Sequence, residues 1–446
     1  MGLKHIVFFA LLFGGVPVAI GLLKNNNRYK KIAYFLMILF IPFVYSTGIN
    51  FFTDEFYKGT VRGYEVLATD MIAFSLLGAM IASDGRKNVV FFPRGARFYI
   101  LYFVLSCISI INADNRIYSG YVVMQMILHY IFFITVYNCI IRNKNFDIIL
   151  YALGGFIIFT FFHMLVQRLF FGVYQPSGVF IHRNSTAMFS NMIAPIFLSV
   201  ILNKDLDKRT YYLFAMAFAC ASCAVILSLS RGAIIFLPLS LGMVIILSLR
   251  NGMNPRKKKI LLLLIVLAVV ATMRAAPMVV DRFVNAPETS AEGRVAFAKA
   301  ALNMAEDKFF GVGLNNWGLK INPPYRYWEN TGIKRPDEDF KSGIVETIYL
   351  LVAAECGWIT FASLLMWFLY YYWQNIKNIK AYKNAGGFYM AVGVLGALTA
   401  VYGQSCFEWI LKQQTNSYEL MIIFAIVATM TNVRINTARQ MKGIAQ

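Results

Sequence analysis

Residues 274–345 read RAAPMVVDRFVNAPETSAEGRVAFAKAALNMAEDKFFGVGLNNWGLKINPPYRYWENTGIKRPDEDFKSGIV, the one long polar interruption in an otherwise apolar chain. It carries Arg282, Arg294, Lys299, Arg326, Lys334, Arg335 and the acidic run Asp337-Glu338-Asp339. About ten apolar segments precede it and about three follow. A bundle of helices with one large loop near its end has a place for chemistry at a membrane face, which a plain pore or anchor does not need.

Working outward, the whole chain of 446 residues is 59% hydrophobic and 14% charged, the composition of a membrane protein. Thirteen apolar runs recur, at roughly 4–23, 32–47, 65–83, 98–113, 118–141, 147–166, 185–202, 211–229, 232–249, 260–273, 347–373, 386–406 and 417–433. In lipid only helices and closed barrels satisfy every backbone polar group, and these runs are too long and too uniformly apolar for barrel strands. The expected fold is all-α and polytopic, with about 12–13 transmembrane helices and one large loop on a single face. The first run lacks a clear small-residue cleavage site and is read as a retained helix. No internal repeat stands out, so the inverted halves common in secondary transporters are not expected.

The basic residues give the orientation. Residues 24–31, 86–97, 142–144, 204–209, 250–259, 377–383 and 434–442 hold 24 Lys and Arg. The alternate short loops hold only Lys58, Arg62, Arg116, Arg168, Arg183, Arg231 and Lys412. The excess marks the cytoplasmic side and turns the long loop outward. Most of the +20 net charge is then topology and contact with anionic membrane lipids, and its scatter argues against nucleic acid. The six cysteines lie in or beside apolar runs, so no disulfide framework is expected in the loop; Cys220 and Cys223 read as small packing residues. None of the four histidines lies in the loop, which speaks against a zinc site or a Ser-His-Asp triad there.

Within the loop, Val295, Ala298, Ala301, Leu302 and Ala305 recur at helical spacing, with Thr289-Ser290 as a cap and a Gly-rich turn at 311–317 following. Three arginines stand out. Arg231 follows Ser230 between two apolar runs with almost no loop; Arg294 opens the loop helix; Arg183 precedes an apolar run with Asn184 beside it. A guanidinium matches phosphate oxygens with a two-pronged donor set, so arginines on one face suit a lipid-linked diphosphate. The bland reading of each is a snorkelling helix anchor. Glu346 and Glu355 flank the start of an apolar helix. Each reads either as complement to the helix N-terminus or as a general base at the membrane face. The single Asp-x-Asp at 337–339 reads as a solvated charge run, and no metal is called for.

The Ser-Arg-Gly-Ala at 230–233, Gly-Arg at 293–294, GVGLNNW at 311–317 and YLLVAAECGW at 349–358 together resemble the O-antigen ligase/polymerase (Wzy-type) superfamily over about 180–375. That resemblance implies a GT-C-like, cofactor-free, metal-independent and inverting glycosyltransferase. Its donor would be an undecaprenyl-diphosphate-linked oligosaccharide, its acceptor a glycan, and its place the periplasmic face of the bacterial inner membrane. Arg231 and Arg294, with Arg183, would hold the diphosphate; Trp317, Tyr349 and Asn184 are candidate donor or acceptor contacts. Ligases of the family carry a base histidine in a His-Asn-x9-Gly pattern. Here Glu346-Thr347 and Gly357 occupy those places, so Glu346 is the candidate base and a polymerase is favoured over a ligase. A chain-length co-polymerase is a further possible partner, and a lipid-glycan flippase is the reading from another class. The expected division is N-terminal helices 1–180, helices carrying outward arginines 181–273, the loop 274–345 and C-terminal helices 346–446.

Overall fold

A computed structural model of the chain describes residues 3–43, 47–54, 56–57, 59–266, 280, 288–332 and 343–444. Among the described residues the structure is 75% helical, and the sheet is confined to a two-stranded antiparallel hairpin, Ile49–Phe51 with Tyr64–Val66. Among the described residues eight helices are long and apolar enough to cross a membrane: His5–Lys24, Arg116–Asn143, Asp147–Leu169, Arg183–Asn203, Lys208–Ser228, Arg231–Arg250, Ile348–Ala381 and Gln414–Met441. The protein is therefore an all-α polytopic membrane protein. The other apolar runs fall on shorter or less uniform helices. Asn27–Leu39, for instance, opens with Arg28, Lys30 and Lys31. The run at 260–273 is described only to 266.

The chain divides into two compact units. The first comprises Met1–Ile149, Glu288–Tyr371 and Ser405–Thr429. Its helix Glu288–Asp307 confirms a helical middle to the long loop, though in a different register from the sequence expectation. The buried face is Ala296, Ala300, Ala301, Met304 and Ala305, while Val295 is 56% exposed. Ala300, Ala301 and Met304 of that face belong to a cluster with Val312, Trp317, Ile321, Val345, Leu351 and Ala354. The described part of the loop thus buries its apolar face against the helix that follows it, so its core is shared. The described helix opens at Glu288, which places Thr289 and Ser290 inside its first turn instead of at its cap. The run Arg274 to Pro287, apart from residue 280, and the acidic run 337–339 lie outside the described residues.

The second unit comprises Leu150–Pro287, Tyr372–Gln404 and Met430–Gln446. At its centre stands Arg183–Asn203, with 94% of its apolar window buried. Lipid offers no hydrophobic drive between helices, so close backbone approach and side-chain hydrogen bonds hold them. Both are present. A Cβ at Gly393 would lie 2.7 Å from the Ile196 Cα, and one at Gly396 would lie 2.7 Å from the Pro195 Cβ. Asn191 Nδ2 donates to Ala233 O at 3.1 Å and to Gln404 Oε1 at 2.9 Å, and Ser199 Oγ donates to Tyr389 O at 2.6 Å. Cys220 and Cys223 are free within Lys208–Ser228.

Candidate functional site

In the first unit the glycine-rich segment and the helix after the loop are built into each other. Ile348–Ala381 is broken at Gly357, which has φ 84° and ψ 171°. A break in a helix orphans carbonyls on the turn before it. The loop supplies their donors: Val312 N–H bonds Ala354 O at 2.9 Å, and Gly313 N–H bonds Glu355 O at 2.9 Å. Two glycines make this possible. A Cβ on Gly357 would sit 2.1 Å from Phe309 O, and one on Gly311 would sit 2.4 Å from Cys356 N, both at positive φ that disfavours other residues.

The asparagines that follow are anchors. Asn315 Nδ2 donates to Val61 O (2.9 Å) and Tyr118 O (2.8 Å), and Asn316 Oδ1 accepts from Asn115 N–H at 2.9 Å. Both are fully buried. Trp317 is also fully buried; its indole N–H donates to Gly343 O at 2.8 Å and its backbone N–H to Glu355 Oε1 at 3.3 Å. The other Glu355 oxygen pairs with Lys412 Nζ at 3.3 Å, both side chains almost wholly out of solvent. Glu355, Lys412 and Trp317 thus form the bolt that holds the plug in the broken helix.

Arg294 lies about one, two and three turns from Phe297, Ala301 and Met304 on the face of Glu288–Asp307 that meets the 343–354 segment. It makes an ion pair with Glu346, and the two side chains are 34% and 40% exposed. Of the candidate site residues, these two are brought together. Glu346 precedes the helix: Thr347 O accepts the first intrahelical bond, from Leu351 N–H at 3.0 Å, and Ile348 is the first helical residue. Its partner is the Arg294 side chain.

The backbone around Glu346 is stitched to a segment that sequence reasoning passed over. Ile348 N–H reaches Ser405 O (3.3 Å) and Glu408 O (3.2 Å), Thr347 Oγ1 donates to Ser405 O, and Trp409 Nε1 donates to Val345 O at 2.5 Å. From there Gln413 Nε2 donates to Glu408 Oε2 at 3.0 Å, and Asn416 Nδ2 donates to Gln413 Oε1 at 2.5 Å. The signal was available: the polar stretch Gln404 to Ser417, with Glu408 and Lys412, separates two apolar runs. Tyr349 is half-buried, its ring edge toward Phe368 at 6.5 Å.

In the second unit Arg231 and Arg183 each stand at the first position of a helix, Arg231–Arg250 and Arg183–Asn203. The turn before Arg231 is as tight as the sequence implies: Leu229 takes left-handed φ 52°, Ser230 is extended, and Ser230 N–H meets Ser228 Oγ at 3.3 Å. The Asn191–Ala233 bond places both helix starts at one end of the unit, Arg183 about 9 Å farther along the axis than Arg231 at 1.5 Å per residue. Asn184 is half-buried, its N–H on His182 Nδ1 at 3.3 Å.

The fold and these side chains define a multi-pass membrane protein with arginines and a carboxylate presented at helix ends. Residues 216–347 match the Wzy_C family model, described as O-antigen ligase, which supports the resemblance to the O-antigen ligase/polymerase superfamily over that stretch. Arg231, Arg294, Trp317 and Glu346 all fall inside the matched stretch. No curated protein matches the chain. The superfamily comprises membrane transferases of O-antigen and polysaccharide biosynthesis that act on lipid-linked glycans.

Proposed function

We propose that the chain is a polysaccharide polymerase of the inner membrane, transferring an undecaprenyl-diphosphate-linked glycan to the hydroxyl of a lipid-linked acceptor sugar at the periplasmic face. The observation that carries this reading is the Arg294–Glu346 pair. It couples an anion-binding group to a carboxylate, and both remain open to solvent. A diphosphate arriving at Arg294 competes with Glu346 for the guanidinium, and bidentate phosphate contact favours the exchange. Glu346 is then free to accept the acceptor hydroxyl proton as the new O–C bond forms at the anomeric carbon. The C–O bond to phosphate breaks, and the leaving diphosphate keeps the electron pair under the charge of arginine. Attack opposite the leaving group inverts the centre. Arg231, and Arg183 at the same end of the unit, are assigned to diphosphate binding on their placement at helix starts, where a guanidinium and the positive end of the helix dipole together suit an anion.

The ligase alternative is favoured by the description of the matching family, whereas the Glu at position 346 in place of histidine favours the polymerase. Deleting the gene separates them. A lipid-linked single repeat accumulates for a polymerase, full-length lipid-linked polymer for a ligase, and export is lost for a flippase. The outward face is tested by cysteine labelling at Lys299, which is exposed; Lys320, otherwise a natural choice within the loop, is tied to Asp114 at 2.6 Å and is 8% exposed.

A further inference from the structure

At one end of the first unit, the start of Asn27–Leu39 and the ends of Ala68–Asp84 and Arg116–Asn143 enclose a cavity of about 410 Å³. Lys30, Lys31 and Arg142 face it against a single carboxylate, Asp84. The cations are oriented in advance. Arg142 is gripped by Asp84 Oδ2 at 2.7 Å and donates to Asn138 O and Oδ1 at 3.2 Å, and Lys30 Nζ donates to Ser83 Oγ at 3.0 Å. Lys30 closes the first turn of Asn27–Leu39 and Lys31 follows it directly, and that turn holds no acidic residue. The positive end of the helix dipole opposes cations there, so the arrangement is relieved by an anion in the cavity.

The cavity is also graded with depth. Leu76 and Met80 line it, and they lie about 12 Å and 6 Å before Asp84 along their helix, at 1.5 Å per residue. A free phosphate has no use for that apolar wall. A lipid does, because its charged headgroup sits at the level of the helix ends and its chain runs below. We propose that this cavity binds the phosphate headgroup of an anionic phospholipid, with the first methylenes of an acyl chain against Leu76 and Met80. The inference is independent of the transfer reaction.

Native mass spectrometry of the full chain, released from nanodiscs of phosphatidylglycerol and phosphatidylcholine, tests it. The wild type should retain one phosphatidylglycerol. Lys30→Gln with Lys31→Gln should weaken retention by roughly thirtyfold, from the attraction of an anionic membrane for each lysine. Met80→Trp, which fills the cavity and leaves every charge in place, should also lose the lipid. Lys208→Gln with Arg209→Gln, an equal charge loss at exposed positions elsewhere, should retain it. Equal loss in that control would mean diffuse surface attraction and overturn the site. Displacement of the lipid by millimolar inorganic phosphate, or retention unchanged in Met80→Trp, would overturn the lipid assignment.

Discussion

Two carboxylate–cation pairs stand nine residues apart on one stretch of chain, and they do opposite work. Glu355 and Lys412 are 2% and 3% exposed and share their pair with the backbone of a buried tryptophan. Glu346 and Arg294 are paired too, but with 40% and 34% of their side chains in solvent. In sequence the two glutamates are near twins, each beside the start of one apolar helix. Burial separates them. A desolvated pair cannot exchange partners without stranding a charge, whereas a half-exposed pair can release either member to a ligand at little cost.

The sharpest test of that contrast is to break the buried pair. Glu355→Gln leaves Lys412 charged and uncompensated, and the expected cost is about 3–5 kcal/mol of stability. Little folded protein should survive extraction, measured by fluorescence size exclusion. A variant extracted at wild-type level would show that the plug does not depend on this bolt.

At the exposed pair the loss should fall on turnover. Glu346→Gln keeps shape and hydrogen-bonding reach but takes no proton, so polymer formation should drop by roughly 10²–10⁴-fold while extraction stays normal. Because the competing carboxylate charge is gone, donor binding should hold or tighten. More than about a tenth of the wild-type rate would remove Glu346 from the role of base.

Arginine replacement comes next. Arg294→Ala and Arg231→Ala should each weaken donor use by an amount equivalent to roughly 2–5 kcal/mol, by analogy with truncated charge pairs. Lysine should rescue only in part, since a point charge lacks the two-pronged donor set. Full rescue by Arg294→Lys would mean that charge alone is required there.

The smallest expected effect is on stability. In a double-mutant cycle, Arg294→Ala and Glu346→Ala should couple by no more than about 0–1 kcal/mol in thermal unfolding, as half-exposed pairs do. A coupling of several kcal/mol would make the pair a second bolt and undo the comparison.

Much of this was legible in the residues themselves. The apolar runs marked the helices, because in lipid a chain must satisfy its own backbone, and the absence of loop residues beside Arg231 foretold the two-residue turn at Leu229-Ser230. The loop helix was legible as a helix, yet its buried face was not. Ala and Leu recur on more than one stripe between 293 and 306, and the partner that selects one, around Trp317 and Leu351, is distant in sequence. Tyr349 and Trp317 carry no mark of their different burial, and the glycine-rich turn reads as a turn whether or not it fills a broken helix.

Composition and periodicity by themselves determined the class of this protein, its helices and the residue types able to meet a diphosphate, since these follow from local patterning and the solvent. The tertiary structure alone decided that Arg294 meets Glu346, that Glu355 is spent on Lys412 and Trp317, and that residues 405–416 back the candidate base. Each of those facts depends on which surfaces exclude water from one another, and that exclusion is a property of packed segments far apart in the chain.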